Sequence, residues 1–305
     1  MTANLLVPAA KPANTPEAIL HRLEWRVIRR LDGLLQGDYR TLFYGDGLDF
    51  ADLREYQLND DIRHIDWNVT ARTNSLHVRQ YVEDREITAW FLLDLSPSMG
   101  FGPATRPKEQ VLVDLVTTLA RLLTRGGNRV GAILYNNRLE KTIPPRGGRN
   151  QVLRLARELL RKADAPRKTT TDLNVLLSAG LNTLKRRSLV FVISDFISEP
   201  GWERPLSLLN RRHEMIGIRL WDAREVELPD AGMIVVEDAE TGEYLTVDTS
   251  NPAFRRRFLA AAERREALLK ETLQRAGTDL YTVSTEEDLV GALVRMAVLR
   301  KKKRR

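Results

Sequence analysis

Two stretches about a hundred residues apart decide how this chain is read: "TAWFLLDLSPSMG", residues 88–100, and "SLVFVISDF", residues 188–196. Each runs through apolar side chains and then stops on a carboxylate, Asp94 in the first and Asp195 in the second. A short continuous apolar run bounded by turn residues is the pattern of a strand buried on both faces, as in a parallel sheet. Segments 129–135, 214–221 and 278–283 are further apolar strand candidates, and helix-length segments lie between them. The expected fold class is therefore α/β, a doubly wound, mostly parallel, Rossmann-like sheet flanked by helices.

The helical segments carry end signals. "RPKEQVLVDLVTTLARLLTRGG" has Pro107 suited to a first turn and Gly126 suited to a C-terminal cap, and "NQVLRLARELLRKA" and "TDLNVLLSAGLNTLKRR" are similarly amphipathic. "MIVVEDAETGEYLTVDT" predicts a β-hairpin turning near Thr241-Gly242, after which Asn251-Pro252 opens a long helix to about Ala276. "STEEDL" has capping-box spacing from Ser284 to Glu287 and predicts the start of a last helix. Upstream, Ile19, Leu23, Val27, Leu31 and Leu34 stand at helical spacing. Four regions follow: a Pro/Ala/Asn-rich, flexible N-terminus over 1–16, a helix and charged module over 17–86, the sheet domain over 87–299 and a basic tail over 300–305. Within the module, "HVRQYVEDREI" reads as a strand.

At 305 residues and 43% hydrophobic, the chain is long enough for a full core. It has no apolar stretch near the ~18 residues a membrane span needs, and its first residues lack a signal-peptide pattern, so the expected compartment is the cytoplasm. The absence of cysteine excludes disulfides, thiolate catalysis and cysteine-held zinc. Any metal must rest on oxygen or histidine. Of the net charge of +7, the segment "RKKKRR" at residues 300–305 carries +6, so a nucleic-acid module rests on this tail alone. The tail has no interleaved aromatics, and a solvated end explains it.

In a doubly wound sheet, ligands gather outside the carboxyl ends of the strands where the strand order reverses. Asp94 and Asp195 belong at such ends. Because strand side chains alternate faces, Asp94, Ser96 and Ser98 can present oxygens on one side as the chain leaves the sheet, and Thr171 can add a hydroxyl from a neighbouring loop. Two facing carboxylates without compensation force one to take a proton, a cost that a divalent cation removes. Oxygen-only ligands suit Mg²⁺, with Mn²⁺ as a substitute. Each piece also has a bland explanation: Asp94 as the cap of the helix after its strand, the serines as turn residues, Thr171 as a helix N-cap, Asp195 as a loop acid. Their joint placement favours the metal.

Together, "DLSPSM", "TTTDL" and "ISDF" resemble the metal-ion-dependent adhesion site of von Willebrand factor A domains, in which D-x-S-x-S, a Thr and an Asp hold Mg²⁺ and a partner's acidic side chain completes the shell. The stretch "GLDFADLREYQLNDDIRHIDWNVTAR", residues 47–72, resembles the signature of the bacterial family known as domain of unknown function family 58. The two resemblances cover roughly residues 40–300. The family's glycine before its acidic pair is Asn59 here, which tolerates the same positive-φ turn. The resemblance implies an adaptor or co-chaperone acting with a MoxR-type AAA+ ATPase, or on its client, through an acidic side chain.

The charged block itself, Arg54, Tyr56, Asp60, Asp61, Arg63, Asp66, Trp67 and Arg72, has two readings. It forms a salt-bridge network that locks the module onto the sheet, with Tyr56 and Trp67 adding apolar area, or it is a second binding face.

Enzyme readings find few parts. The sequence has no phosphate-binding glycine loop of either common type and no G-x-S-x-G, and His21, His64, His77 and His213 lack H-E-x-x-H spacing. "PPRGGRNQ" is explained by a loop entering a helix. The expected function is non-catalytic interaction, with a Mg²⁺-dependent phosphoesterase as the alternative.

Overall fold

The computed structural model describes residues 15–35, 53–57, 60, 62, 65–73, 75–79, 87–103, 105–161 and 170–303. The chain packs as two compact units, Met1–Leu42 with Ile87–Arg305, and Phe43–Glu86. The N-terminal helix, expected in one module with the charged block, belongs to the sheet unit. Helix α1 (Pro16–Leu23) passes through a π turn (Glu24–Ile28) into α2 (Arg29–Leu35). Pro16 occupies the first turn, and the Thr15 hydroxyl accepts from the Ala18 N–H at 3.2 Å, satisfying one of the free donors of the helix start. Ile19, Leu23, Val27 and Leu31 are buried, as the helical spacing predicts, and so are Leu20 and Ile28. The Leu34 side chain lies outside the described residues, as do residues 1–14.

The smaller unit is built from β1 (Leu53–Glu55), α3 (Trp67–Thr73) and β2 (His77–Arg79). The strands pair antiparallel, Arg54 opposite Val78. Asp60 accepts from the Gln57 N–H at 2.8 Å, and Asp66, itself buried, accepts from the Val69 N–H at 3.3 Å at the start of α3. These two acids thus hold backbone turns. Trp67 is 67% exposed. Tyr56 is half-buried and Arg72 exposed. Asp61, Arg63, the Arg54 side chain and most of the expected strand beyond Arg79 lie outside the described residues.

In the sheet unit the chain continues through β3 (Thr88–Asp94), α4 (Lys108–Arg125), β4 (Arg129–Tyr135), β5 (Leu139–Arg146), α5 (Arg149–Leu159) and α6 (Leu173–Thr183). It then forms β6 (Leu189–Ser194), α7 (Glu203–Asn210), β7 (Glu214–Trp221), β8 (Met233–Glu237), β9 (Tyr244–Asp248), α8 (Pro252–Arg275), β10 (Asp279–Ser284) and α9 (Leu289–Lys303). The main sheet has the order β10-β7-β6-β3-β4-β5. Every pair is parallel except β4 with β5. All five strands expected from the sequence are present within a residue of their expected starts. This is a mostly parallel sheet flanked by helices, with its switch point between β3 and β6.

Both faces are covered. Trp90, Leu92, Val190 and Val192 pack on one face against α6, α7 and α8 through Leu173, Leu177, Leu206, Leu209, Leu269 and Leu273. On the other face Phe91 and Phe191 stack at 5.2 Å, and α4 and α9 lie against the strands. Helix α1 packs in turn on α4 and α5. Ion pairs tie the N-terminal helical segment to α4: Arg22 with Asp114 at 2.6 Å, Glu24 with Arg121 at 2.7 Å and Asp32 with Arg125 at 3.0 Å.

Strand β5 was not foreseen, because Pro144 and Pro145 argue against a strand interior. They are tolerated because β5 is the edge strand and the register shifts between Val130 and Ala132, opposite them. At that irregularity a Cβ on Gly131 would meet the Ile143 carbonyl oxygen at 2.9 Å and the Trp90 ring at 3.1 Å. Gly131→Ala is expected to lower stability by roughly 1–3 kcal/mol, the usual range for overpacking. Urea denaturation should show a lower midpoint at unchanged slope.

Two end signals differ from expectation. Ser284 ends β10, and Ser284–Glu287 forms a turn, with the Glu287 N–H donating to the Ser284 carbonyl at 3.2 Å. Helix α9 starts two residues later, where Asp288 Oδ2 accepts from the Gly291 N–H at 3.4 Å, and the Glu287 carboxylate pairs with Arg295 (2.9 Å to Nη2). The expected tail is also helical through Lys303, and Arg300 is buried in an ion pair with Glu214. Among the described residues no helix is long and apolar enough to cross a membrane.

Candidate functional site

The carboxyl ends of three neighbouring strands finish the same way. Asp94 Oδ1 accepts from the Ser96 N–H at 2.9 Å, Asp195 Oδ1 from the Ile197 N–H at 2.9 Å and Asp222 Oδ1 from the Arg224 N–H at 3.0 Å. Each acid thus closes a local turn that stops its strand. The parallel register places Leu93 opposite Ile193, so the next residues, Asp94 and Ser194, are neighbours across the switch point. The Ser194 hydroxyl donates to Asp94 Oδ2 at 2.6 Å and accepts from the Phe196 N–H at 2.8 Å. Phe196 is held at φ +58°, a conformation bulky residues rarely adopt. Its ring, packed 5.8 Å from that of Trp202, holds it there and fixes the turn that carries Asp195.

The serines follow Asp94 as the sequence places them. Pro97 opens a 3₁₀ turn, Pro97–Gly100, and Ser96 Oγ lies 3.1 Å from Ser98 Oγ. Thr171 enters from the loop before α6. The N-cap of α6 is Asp172, whose carboxylate accepts from the Asn174 N–H at 2.9 Å, so Thr171 is released from the capping role. The Thr171 carbonyl accepts from the Glu199 N–H at 2.9 Å, and Ser198 Oγ accepts from the Leu173 N–H at 2.9 Å. These bonds pin the loop to the segment that follows Asp195. Asp94, Ser96, Ser98, Thr171 and Asp195 are all buried.

Three further side chains complete the cluster. Lys108, fully buried at the start of α4, donates to Asp195 Oδ2 at 2.8 Å and to Glu225. The second Glu225 oxygen accepts from the Asp222 N–H at 3.2 Å. Glu240, from the turn between β8 and β9, accepts from the Thr171 N–H at 2.6 Å and from the Thr171 hydroxyl.

The charge balance follows from this geometry. Burial, then the charge of Asp195, push Asp94 up to about 6, against the hydrogen bonds from Ser194 and Ser96. Burial raises Glu240, the Thr171 bonds oppose it, and the charges of Asp195 and Asp238 add to the rise. Burial works against the Lys108 ammonium, but Asp195 and Glu225 together hold it above its ordinary value. The hydrogen bonds described for Asp94 come from hydroxyl and amide groups.

Among the described residues, no group of three or more His, Cys, Asp or Glu is placed to hold a metal ion. The expected ligand set is different in kind, two carboxylates and three hydroxyls, and its chemistry fits an oxygen-seeking divalent cation. Each ionised carboxylate has about four acceptor positions, so its described bonds leave capacity. Asp94 ionises with difficulty, first because it is buried and then because Asp195 lies beside it.

The profile of the family described as "Protein of unknown function DUF58" matches residues 52–268. The chain belongs to this family. This DUF58 chain is 36% identical over 285 residues to "Uncharacterized protein Rv1480" of Mycobacterium tuberculosis, spanning 93% of this chain and 90% of that one. The same figures hold for "Uncharacterized protein Mb1516" of Mycobacterium bovis. Among solved structures, an aerotolerance-related membrane protein from Bacteroides fragilis is similar at a TM-score of 0.47 and 14% identity, covering 71% of this chain and 99% of that one. BatB from Bacteroides thetaiotaomicron is similar at a TM-score of 0.45 and 13% identity, covering 71% and 99%.

Sequence reasoning did not find Lys108, Asp222, Glu225 or Glu240. Asp222 had a readable signal, since "MIGIRLWD" is a third apolar run ending on an acid. Lys108 and Glu225 carry none: a lysine in a first helical turn and a glutamate in a polar loop look solvent-exposed. Glu240 lies in "EDAETGEY", an ordinary polar hairpin turn.

Proposed function

We propose that this DUF58 protein is a non-catalytic interaction module of von Willebrand factor A type. Asp94, Ser96, Ser98, Thr171 and Asp195 would hold Mg²⁺, or Mn²⁺, in a metal-ion-dependent adhesion site. The observation that carries this reading is the buried, hydroxyl-lined carboxylate pair at the switch point, in which Lys108 faces Asp195 and the bonds described for Asp94 come from hydroxyl and amide groups, with Asp94 pushed to about 6. When bound, the cation supplies an electrophilic position for a carboxylate oxygen. The chain's own part is to hold the oxygens: the turns after β3 and β6 fix the acids, and Pro97 and the Glu199–Thr171 bond fix the hydroxyls. The partner would be a MoxR-type AAA+ ATPase or its client, engaged through an acidic side chain. The resemblance of residues 47–72 to the family signature supports that choice.

Calorimetric titration with Mg²⁺ tests the site. Wild type is expected to bind, and the double variant Ser96→Ala, Ser98→Ala to bind at least tenfold more weakly with its fold retained. A purified MoxR-type ATPase should co-elute in Mg²⁺ and separate in chelator. Equal capture by Asp94→Ala would sink the bridging mechanism, and Asp94-dependent turnover of a simple phosphoester would overturn the non-catalytic assignment.

A further inference from the structure

The hairpin formed by β8 and β9 reaches the site at its tip. Among the described residues these strands pair with each other and not with the main sheet. Met233, Val235, Tyr244 and Leu245 are each about two-thirds exposed, at 68, 66, 70 and 65%. The base is fixed: buried Thr249 donates to the Gly232 carbonyl through its N–H at 2.8 Å and its hydroxyl at 2.7 Å, and Arg255 pairs with Asp230 at 2.9 Å.

The tip is shaped in advance. Asp238 Oδ1 accepts from the N–H groups of both Glu240 and Thr241 at 2.9 Å. The Asp238 N–H donates to the Glu243 carbonyl at 2.8 Å, and Gly242 supplies φ +72° where the chain turns back. The outcome is a rigid turn that projects Glu240, whose two oxygens take both donors of Thr171. A threonine hydroxyl that donates its hydrogen keeps its lone pairs, so Thr171 can face a cation and hold Glu240 together.

We propose that Glu240 is a resident carboxylate of this site: from within the chain it holds the place a partner's acid would take, and a partner enters by displacing the hairpin tip. The proposal rests on the cation-site reading above. It makes recognition an exchange of one carboxylate for another, so a partner must offer an acid more firmly held than Glu240. The strands, anchored at the base, with Val247 buried, and held at the tip by Glu240, are the element that moves.

The test uses the whole chain, Mn²⁺ as the metal and acetate as the incoming carboxylate, with Glu240→Ala and Glu240→Gln as variants. Hydrogen exchange is expected to accelerate about tenfold or more in Glu240→Ala at Thr171 and across residues 233–248, because a charge-assisted contact is lost. Glu240→Gln, which keeps one acceptor oxygen, should show a smaller increase. Water-proton relaxation by bound Mn²⁺ should rise in Glu240→Ala and fall when acetate is added, while wild type stays indifferent to acetate. Equal exchange in wild type and Glu240→Ala would overturn the proposal. So would Mn²⁺ bound to both proteins with acetate without effect on either. If neither protein binds Mn²⁺, the metal reading falls instead, and the exchange rates still decide whether Glu240 holds the hairpin.

Discussion

Asp94→Asn should make the metal-free protein more stable at neutral pH, although it removes a central residue of the candidate site. In the folded chain Asp94 titrates at about 6, against 3.8 for the free side chain. The folded state therefore binds the extra proton between those values. Stability falls as pH rises from about 4 to about 6, and at pH 7 the full cost of ionising Asp94 beside Asp195 is present. Asparagine carries no charge at any of these pH values. Its oxygen can still accept from the Ser96 N–H, and Ser194 can reorient its hydroxyl toward the new amide. The expected gain in chelator at pH 7 is about 1–3 kcal/mol, a rise of several degrees in melting temperature. The gain should vanish toward pH 4. Divalent cation should then raise the melting temperature of wild type and leave the variant unmoved. A variant equal to or below wild type at pH 7 in chelator would show that Asp94 is compensated in a way the charge balance omits.

Lys108→Met should act in the opposite direction and more strongly. The ammonium is buried between Asp195 and Glu225, and methionine matches its length while leaving both carboxylates without their cation. Removing one partner of a buried ion pair typically costs about 3–5 kcal/mol. Asp195 and Glu225 hold the Lys108 ammonium above its ordinary value, so its contribution is fully present at pH 8 and is lost only as pH rises into the alkaline range. Denaturant midpoints at pH 8 measure the deficit. A deficit below 1 kcal/mol at pH 8 would mean that water or a rearranged side chain replaces the lysine.

The fold was legible where the sequence encodes burial directly. β3, β4, β6 and β7 are central strands, and their apolar runs mark them; β10, at one edge, is marked by the alternation of Leu280, Tyr281 and Val283 with polar residues after a helix. β5 was not legible, because its two prolines point away from a strand. The capping-box spacing at Ser284 misled because the motif records only local geometry. Glu287 has a better partner in Arg295, eight residues on, and nothing in "STEEDL" shows it. For the site, Asp94, Asp195 and their hydroxyl neighbours announce themselves by where the apolar runs end. Lys108, Glu225 and Glu240 do not, since each comes from a segment 69 to 117 residues away from the side chain it contacts, or from across the sheet. Long-range pairing of charged groups leaves no periodic trace in the chain.

Pro144 and Pro145 on β5 also bear on how the molecule meets its surroundings. A free sheet border with every amide intact is a template onto which another extended chain can add. Two consecutive residues without an N–H, at a point where the strand is already irregular, interrupt that template. Sheet-to-sheet polymerisation through this border is thereby disfavoured, and crowded molecules of this protein are kept from growing into fibres along it.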